Sequence, residues 1–287
     1  MDDNAPHGRK SRVRASDVVT NVLTVAYFVF ALFPVFWILL LSLKPDKQLF
    51  TTYFVFDPTL ENYTAVLGLS QGAEGIPFVR FFFNSLVISF GAVAIALLVG
   101  VPAAYAAARW KFRGSESLLF TLLSFRFAPE LTVIIPLYVI YQKLGLFDSY
   151  VGMIWVYQLI ALPFVVWILR SYFQDLSPEL EQSALLDGYT RVRAFFLIVA
   201  PLVRPGIAAV SLISFIFAWN NFVFPLILTA SHAQTVTVGA LSFLGGEKPR
   251  YNFTAAAALI AAIPPLILAF SIQRYLVRGL SFGAVKG

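Results

Sequence analysis

Six long apolar runs, separated by polar segments, set the pattern of the chain. Residues 18–43 carry no charge, and a bilayer-spanning helix needs about 20 mostly apolar residues. Residues 81–108 form a second uncharged run. Residues 118–141 form a third, interrupted by Arg126 and Glu130. Residues 150–169, 206–230 and 253–272 complete the set. The pattern predicts an all-α membrane protein with one six-span domain over 18–276, flanked by tails at 1–17 and 277–287. The first run is too long for the core of a secretory signal, and Lys44-Pro45-Asp46 follows it where a cleavage site would need small residues. It reads as a retained anchor. Every run contains proline: Pro34, Pro102, Pro129 with Pro136, Pro163, Pro225, and Pro264-Pro265. An interior proline kinks a helix, and neighbours in a bundle re-satisfy the freed carbonyls. Such a pattern fits a bundle that tolerates bends as well as a bundle of bent helices rocking around a central path.

Composition narrows the class. Hydrophobic residues make up 59% of the 287 and charged residues 13%, where soluble domains carry about 25% charged. A soluble surface is therefore excluded, and the Phe, Val, Ile and Leu content excludes disorder. The absence of cysteine excludes thiol catalysis, disulfides and Cys-ligated metal. His7 and His232, the two histidines, leave little for zinc or His-based catalysis. Charge then sets orientation. With a cytoplasmic N-terminus, fourteen of the 21 Lys and Arg residues fall on inside segments and six outside, with Arg126 inside a span. The positive-inside rule places both termini in the cytoplasm. Basic residues beside lipid head groups serve topology, so no nucleic-acid partner is expected.

Most connections between spans are short, but the inside segment 171–205 is long and patterned. Ser177-Pro178-Glu179 has the form of an N-cap, a proline at the first helical position and an acid at the positive helix end. Helix is expected to continue to Asp187, with Gly188 as its stop. Thr190 then caps a second helix to about Ala200, before Pro201. Leu180, Ala184 and Asp187 share a face, with Leu185 beside them. Small Ser183 and Ala184 would let another protein approach closely. The pair either packs on its own bundle or buries its leucines in a partner.

Polar residues inside the membrane usually face a bundle interior or a cavity. Arg126 and Glu130, four apart, are expected to share a helix face and to neutralise each other. They would either fix helix register or lie beside a solute path. Asn84, Gln158, Asn220 and Asn221 offer both donors and acceptors, and Trp155 or Trp219 offers a surface for stacking on a pyranose ring. For each amide the alternative is an interhelical hydrogen bond. The outside segment 231–252, with Gly245-Gly246, reads as a flexible connector.

The stretch Glu181-Gln182-Ser183-Ala184-Leu185-Leu186-Asp187-Gly188, followed by Ile198-Val199-Ala200-Pro201, resembles the EAA motif of ABC importer permeases. That motif runs E-A-A, three residues, G, nine residues, I-x-L-P. Gln182 stands in the Glu place, Ser183 and Ala184 in the Ala places, and Gly188 in the Gly place. Ile198 and Pro201 keep the spacing, and Ala200 stands for Leu. Glu181, one residue early, is placed to supply the missing acid. Leu60-Glu61-Asn62-Tyr63, Asn84-Ser85-Leu86, Leu144-Gly145-Leu146-Phe147-Asp148, Ala218-Trp219-Asn220-Asn221-Phe222 and the end from Arg278-Gly279-Leu280 to Lys286-Gly287 are similar to the carbohydrate branch, typified by the smaller permease subunit of maltose importers.

The resemblance implies a permease subunit of a sugar or polyol importer in a bacterial-type cell membrane. Its partners would be a second permease, two cytoplasmic ATPases and an extracytoplasmic solute-binding protein. It implies that residues 181–188, with Ile198 and Pro201, transmit force from the ATPases, and that segment 231–252 touches the binding protein. No G-x-x-x-x-G-K-S/T phosphate loop occurs in the chain, so ATP and Mg belong to the ATPase partners and no cofactor is expected on this subunit. Another small solute, such as a glycerol phosphodiester, fits the same architecture. A channel would leave the inner helix pair unexplained. An intramembrane enzyme would need a catalytic constellation, and neither H-E-x-x-H nor a His pair is present.

Overall fold

In lipid every backbone N–H and C=O must be satisfied within its own segment, which leaves apolar runs the helix as their structure. The computed structural model describes residues 15–50, 53–70, 75–110, 113–127, 130–245 and 248–283, with side chains at all of these except 15–18, 126–127 and 274–283. Regular structure among the described residues is entirely helical. The helices are α1 (Ala15–Ser42), α2 (Glu61–Val66), α3 (Phe78–Arg109), α4 (Ser115–Phe127), α5 (Glu130–Leu144), α6 (Tyr150–Val156), α7 (Gln158–Asp175), α8 (Glu179–Leu186), α9 (Arg191–Ala194), α10 (Ala200–Leu202), α11 (Arg204–Asn220), α12 (Val223–Leu228), α13 (Val236–Ser242) and α14 (Tyr251–Gly283).

Three of these helices contain an unbroken stretch long and apolar enough to cross a membrane: Val19–Ser42, Phe78–Arg109 and Tyr251–Gln273. The other predicted spans are broken. The 118–141 run divides into α4 and α5, inclined at 89°. The 150–169 run divides into α6 and α7, bent by 42°, and α7 runs on to Asp175. The 206–230 run also departs from expectation. α11 stops at Asn220, Asn221 is extended, and α12 comes next. The apolar pair there is instead Arg191–Leu202 with Arg204–Asn220, bent by 73°, so part of the predicted inner loop belongs to it. Counting each bent pair as one span brings the number to six. Proline adjoins one of the breaks: α11 opens with Pro205 in its first turn, just after Val203, and a π turn over Phe195–Val199 precedes Pro201 on the other side.

Helices α3 and α7 lie back to back at the centre. Gly100 makes the approach possible, because a Cβ there would stand 2.5 Å from Val165 Cγ1. Ala96, Ala104, Ala161, Val165, Leu169 and Phe173 fill the seam, and Phe195, Val199 and Val210 close it from the inner helices and α11. A second cluster joins α3, α11, α13 and α14 through Phe78, Phe215, Trp219, Val236, Phe243 and Phe253. A third joins α5, α6 and α12 through Tyr141, Met153, Phe224 and Leu228. Helix α1 lies along α14 at the margin, with its apolar stretch unburied.

Polar side chains tie the ends of α1, α2 and α14 together. Asn62 Nδ2 donates to Ser42 O and Lys44 O at 2.8 and 2.9 Å. Asn252 Nδ2 donates to Asn62 Oδ1 at 2.9 Å, and the Ser42 hydroxyl pairs with Tyr63 OH at 2.7 Å. These contacts hold the end of α1 to α2 and α14. The described part of segment 231–252 is packed, contrary to the connector reading. Ala233, Val236, Val238 and Phe243 are buried, because α13 lies in a groove of α3 where Gly239 touches Phe81. Asp148 anchors its start. Its backbone is left-handed, at φ 51°, a region Asp tolerates better than most residues. Its carboxylate accepts from the backbone N–H groups of Ser231, His232 and Ala233 at 3.0, 2.9 and 2.9 Å. Burial alone would raise its pKa, but backbone donors from Ala233, His232, Ser231 and Ala230 outweigh burial and lower it to about 2.

A carboxylate whose folded pKa is depressed adds stability above its unfolded pKa, and that stability is lost as pH falls through the folded value. Asp148 therefore stabilises the packing of residues 231–233 at neutral pH, and its contribution disappears between about pH 4 and pH 2. Thermal unfolding in detergent across pH checks this. Asp148→Asn is expected to lower stability at pH 7 by about 1–3 kcal/mol and to flatten the decline between pH 4 and 2.

Candidate functional site

The segment between α7 and α11 begins with α8, whose first turn carries Glu179 and Glu181 at the positive end. Ser177 Oγ accepts the Glu179 N–H at 3.3 Å. The helix ends as expected at Gly188, where φ is +85°. Gly188 N donates to Leu185 O at 3.1 Å and Tyr189 N to Ala184 O at 3.0 Å, the paired bonds of a Schellman stop. Thr190 Oγ1 then accepts from Arg193 N at 3.3 Å and caps α9. The second helix continues past the expected Ala200, through Pro201 to Leu202.

The outward face differs from the predicted one. Ala184 is buried against the bundle, so it is not the point of close approach for a partner. Gln182, Ser183, Leu185, Asp187 and Gly188 are exposed, Ile198 and Pro201 are half-buried, and Leu186 at the tip is 89% exposed. Leu180, Val192, Phe196 and Leu197 extend an apolar face around them. Glu181 points inward. Its Oε1 accepts from Arg109 Nε at 2.6 Å and its Oε2 from Tyr105 OH at 2.9 Å. Spacing alone could not find this bond, because Arg109 reads as one more inside charge and Tyr105 as one more apolar residue of a span.

The candidate path residues divide into those used by the scaffold and those that meet. Asn84 donates to His232 O and Gln234 O and accepts from Tyr150 OH at 2.6 Å. Gln158 Nε2 donates to Ala92 O and Ile154 O at 3.1 and 2.9 Å. Trp219 is buried beside Phe215 and donates to Ala261 O at 3.0 Å, which rules out stacking on a solute. Trp155 is exposed on α6.

Glu130, Asn220 and Asn221 do come together. They line a cavity of about 250 Å³ with Ile160, Phe217 and Phe222. A second cavity of about 210 Å³, walled by Phe125, Leu137, Leu159 and Phe224, shares Glu130 and Ile160 with it. Asn221 Nδ2 donates to Glu130 Oε1 at 3.0 Å, while Asn221 Oδ1 accepts from Phe224 N and starts α12. Asn220 spends its amide on Ile216 O. The expected same-face arrangement of Arg126 and Glu130 is overturned: a shared face needs one continuous helix, and the two residues lie on helices inclined at 89°. The Arg126 side chain lies outside the described residues. Chemically the cavity pairs an acid and two amides with phenyl faces, a set able to accept and donate to hydroxyl groups.

Glu130→Leu is expected to strand the Asn221 amide and Asn221→Leu to strand the carboxylate. Each should cost about 1–3 kcal/mol, and the double variant should cost less than the sum. Thermal unfolding of the four proteins in detergent measures the difference, and strict additivity would show that the bond contributes nothing.

Residues 96–282 match the family described as binding-protein-dependent transport system inner membrane component. The trehalose transport system permease protein SugB of Mycobacterium tuberculosis is 36% identical over 278 residues, covering 94% of this chain and 96% of that one. The trehalose/maltose transport system permease protein MalG of Thermococcus litoralis is 33% identical, with coverage of 90% and 93%. Among solved structures, a bacterial ABC transporter involved in import of the acidic polysaccharide alginate contains a chain that superposes with a TM-score of 0.73 at 22% identity, covering 95% and 99% of the two chains. That likeness is one of fold. The family match and the relatives together make this chain a member of the binding-protein-dependent transport system inner membrane component family, a multi-pass ABC transporter permease.

Proposed function

We propose that the chain is one of two permease subunits of an ATP-driven importer for a neutral sugar or polyol. In this reading six spans place both termini in the cytoplasm, with 1–17 and 277–287 as tails. A solute-binding protein delivers the substrate on the outer side. Two cytoplasmic ATPases supply ATP and Mg, and this subunit binds neither. One observation carries the reading. The segment matching the EAA pattern forms a short helix closed by a glycine stop, with an apolar tip facing away from the bundle. Leu185, Leu186 and Asp187, together with Gln182 and Ser183, form the surface that enters an ATPase groove. Closure of the ATPase dimer moves α8, and the attached ends of α7 and α11 move with it, a two-state shift of access biased by ATP and loaded binding protein. The sugar class is supported by the names of the two relatives and by the acid, amides and phenyl rings around the central cavity.

Gly188 is the most demanding position of the coupling segment. At φ +85° a β-branched side chain is strained even though the space around it is open. Gly188→Val should leave membrane levels normal, weaken ATPase retention and reduce uptake about tenfold, a loss of about 1.4 kcal/mol. Pull-down and solute uptake at matched expression measure both effects, and wild-type values would make this segment an ordinary loop. A preparation of this chain with the ATPase but no second permease is expected to take up nothing. ATP-dependent uptake there would refute the two-permease reading.

A further inference from the structure

Helix α8 hangs from the bundle by two short turns, one before Glu179 and one at Gly188. Turns of this kind can hinge, and a displaced helix would then swivel without moving the spans. The structure holds a third attachment. Tyr105 and Arg109 stand four residues apart on one face of α3 and both donate to the Glu181 carboxylate, one to each oxygen, at 2.9 and 2.6 Å. The Arg109 and Glu181 side chains are 10% and 17% exposed, so the pair is only weakly screened by solvent. The Tyr105 ring packs on Phe173 of α7 and Phe195 of the π turn, with centroids 5.5 and 4.7 Å away. The acid of α8 is thus held by two donors of one helix in a socket walled by two others.

The opposite end of α3 is also tied. Asn84 donates to His232 O and Gln234 O at 2.9 and 2.8 Å, and Ser85 Oγ accepts from Val236 N at 2.7 Å. Asn84 and Tyr105 are separated by roughly 32 Å of helix at 1.5 Å per residue, about the thickness of the hydrocarbon core. Helix α3 therefore crosses the apolar layer with a polar joint at each end.

Building on the coupling reading of α8, we propose that Tyr105, Arg109 and Glu181 form the joint through which α8 moves α3, so that α8, α3 and the outer residues 232–236 shift as one body in the transport cycle. Tyr105 and Arg109 are positioning residues: they touch neither solute nor ATP, and they convert a displacement of α8 into a displacement of a span.

The chain has no cysteine, so spin labels can be placed directly at Ala103→Cys on α3 and Glu179→Cys on α8, both at exposed positions. Distances are measured by pulsed electron resonance in the assembled transporter, with and without ATP, alongside uptake per ATP hydrolysed. The label distance is expected to stay the same in both states. Glu181→Ala should make it state-dependent and lower uptake per ATP about tenfold while the ATPase stays bound. Exchange of the charges, Arg109→Glu with Glu181→Arg, should recover much of the loss. A label distance that changes with ATP in the otherwise unaltered complex would overturn the proposal. So would undiminished uptake per ATP in Glu181→Ala. If Glu181→Ala fails to assemble, the distance measured in the unaltered complex decides. Failure of the labelled complex to retain any ATPase would instead overturn the coupling reading on which the joint rests.

Discussion

The close approach of α3 and α7 is the contact on which the remaining architecture rests. Two helices meet at short range only where side chains are small, and Gly100 with the alanines at 96, 104 and 161 provides that seam. Lipid tails are as apolar as leucine, so association inside a bilayer draws on van der Waals packing and hydrogen bonds more than on hydrophobic burial. Once the seam is closed, α11 and the inner helices have a surface to fill, and Phe173, Phe195 and Val210 complete it. The segment after α8 is folded onto the same seam through Phe195 and Val199.

Breaks in the helices would be intolerable in lipid unless each freed backbone group found a partner. The chain meets this with amides and acids at the breaks. Asn221 ends α11, caps α12 and reaches Glu130 at the start of α5. Asp148 sits between α5 and α6 and gathers the backbone donors of residues 231–233. Polar residues that first suggest a ligand thus largely serve the backbone, while Glu130 with Asn220 and Asn221 line a cavity together.

Much of this was legible in the sequence. The long uncharged runs gave α1, α3 and the start of α14 to within a few residues, because hydropathy over 20 residues leaves little else in lipid; α14 itself runs on to Gly283, beyond the run that ends at 272. The inner pair was legible for a different reason: Ser177, Gly188 and Thr190 are local signals, and caps act over four residues whatever the surroundings. The helix breaks were not legible. Pro163 lies inside α7 and not at the break before it, and Asn221, where α11 ends, gives its amide to Glu130, 91 residues away. The direction of Glu181 was hidden for the same reason, since Tyr105 and Arg109 lie 76 and 72 residues from it. Long-range pairing is the information that period and propensity do not carry.

In helix α1 such pairing is confined to one side along α14 and to its end at Ser42. Over Val19–Ser42 it offers apolar side chains in every direction and leaves its apolar stretch unburied within the chain. Outside Trp37, which meets Phe54, and the side facing α14, little in this chain's own packing there distinguishes leucine from valine or phenylalanine, so within the subunit the helix is constrained by its average composition and length more than by the order of its residues. Single apolar exchanges along it are close to interchangeable as far as this fold is concerned, and random drift can rewrite the text while preserving the anchor.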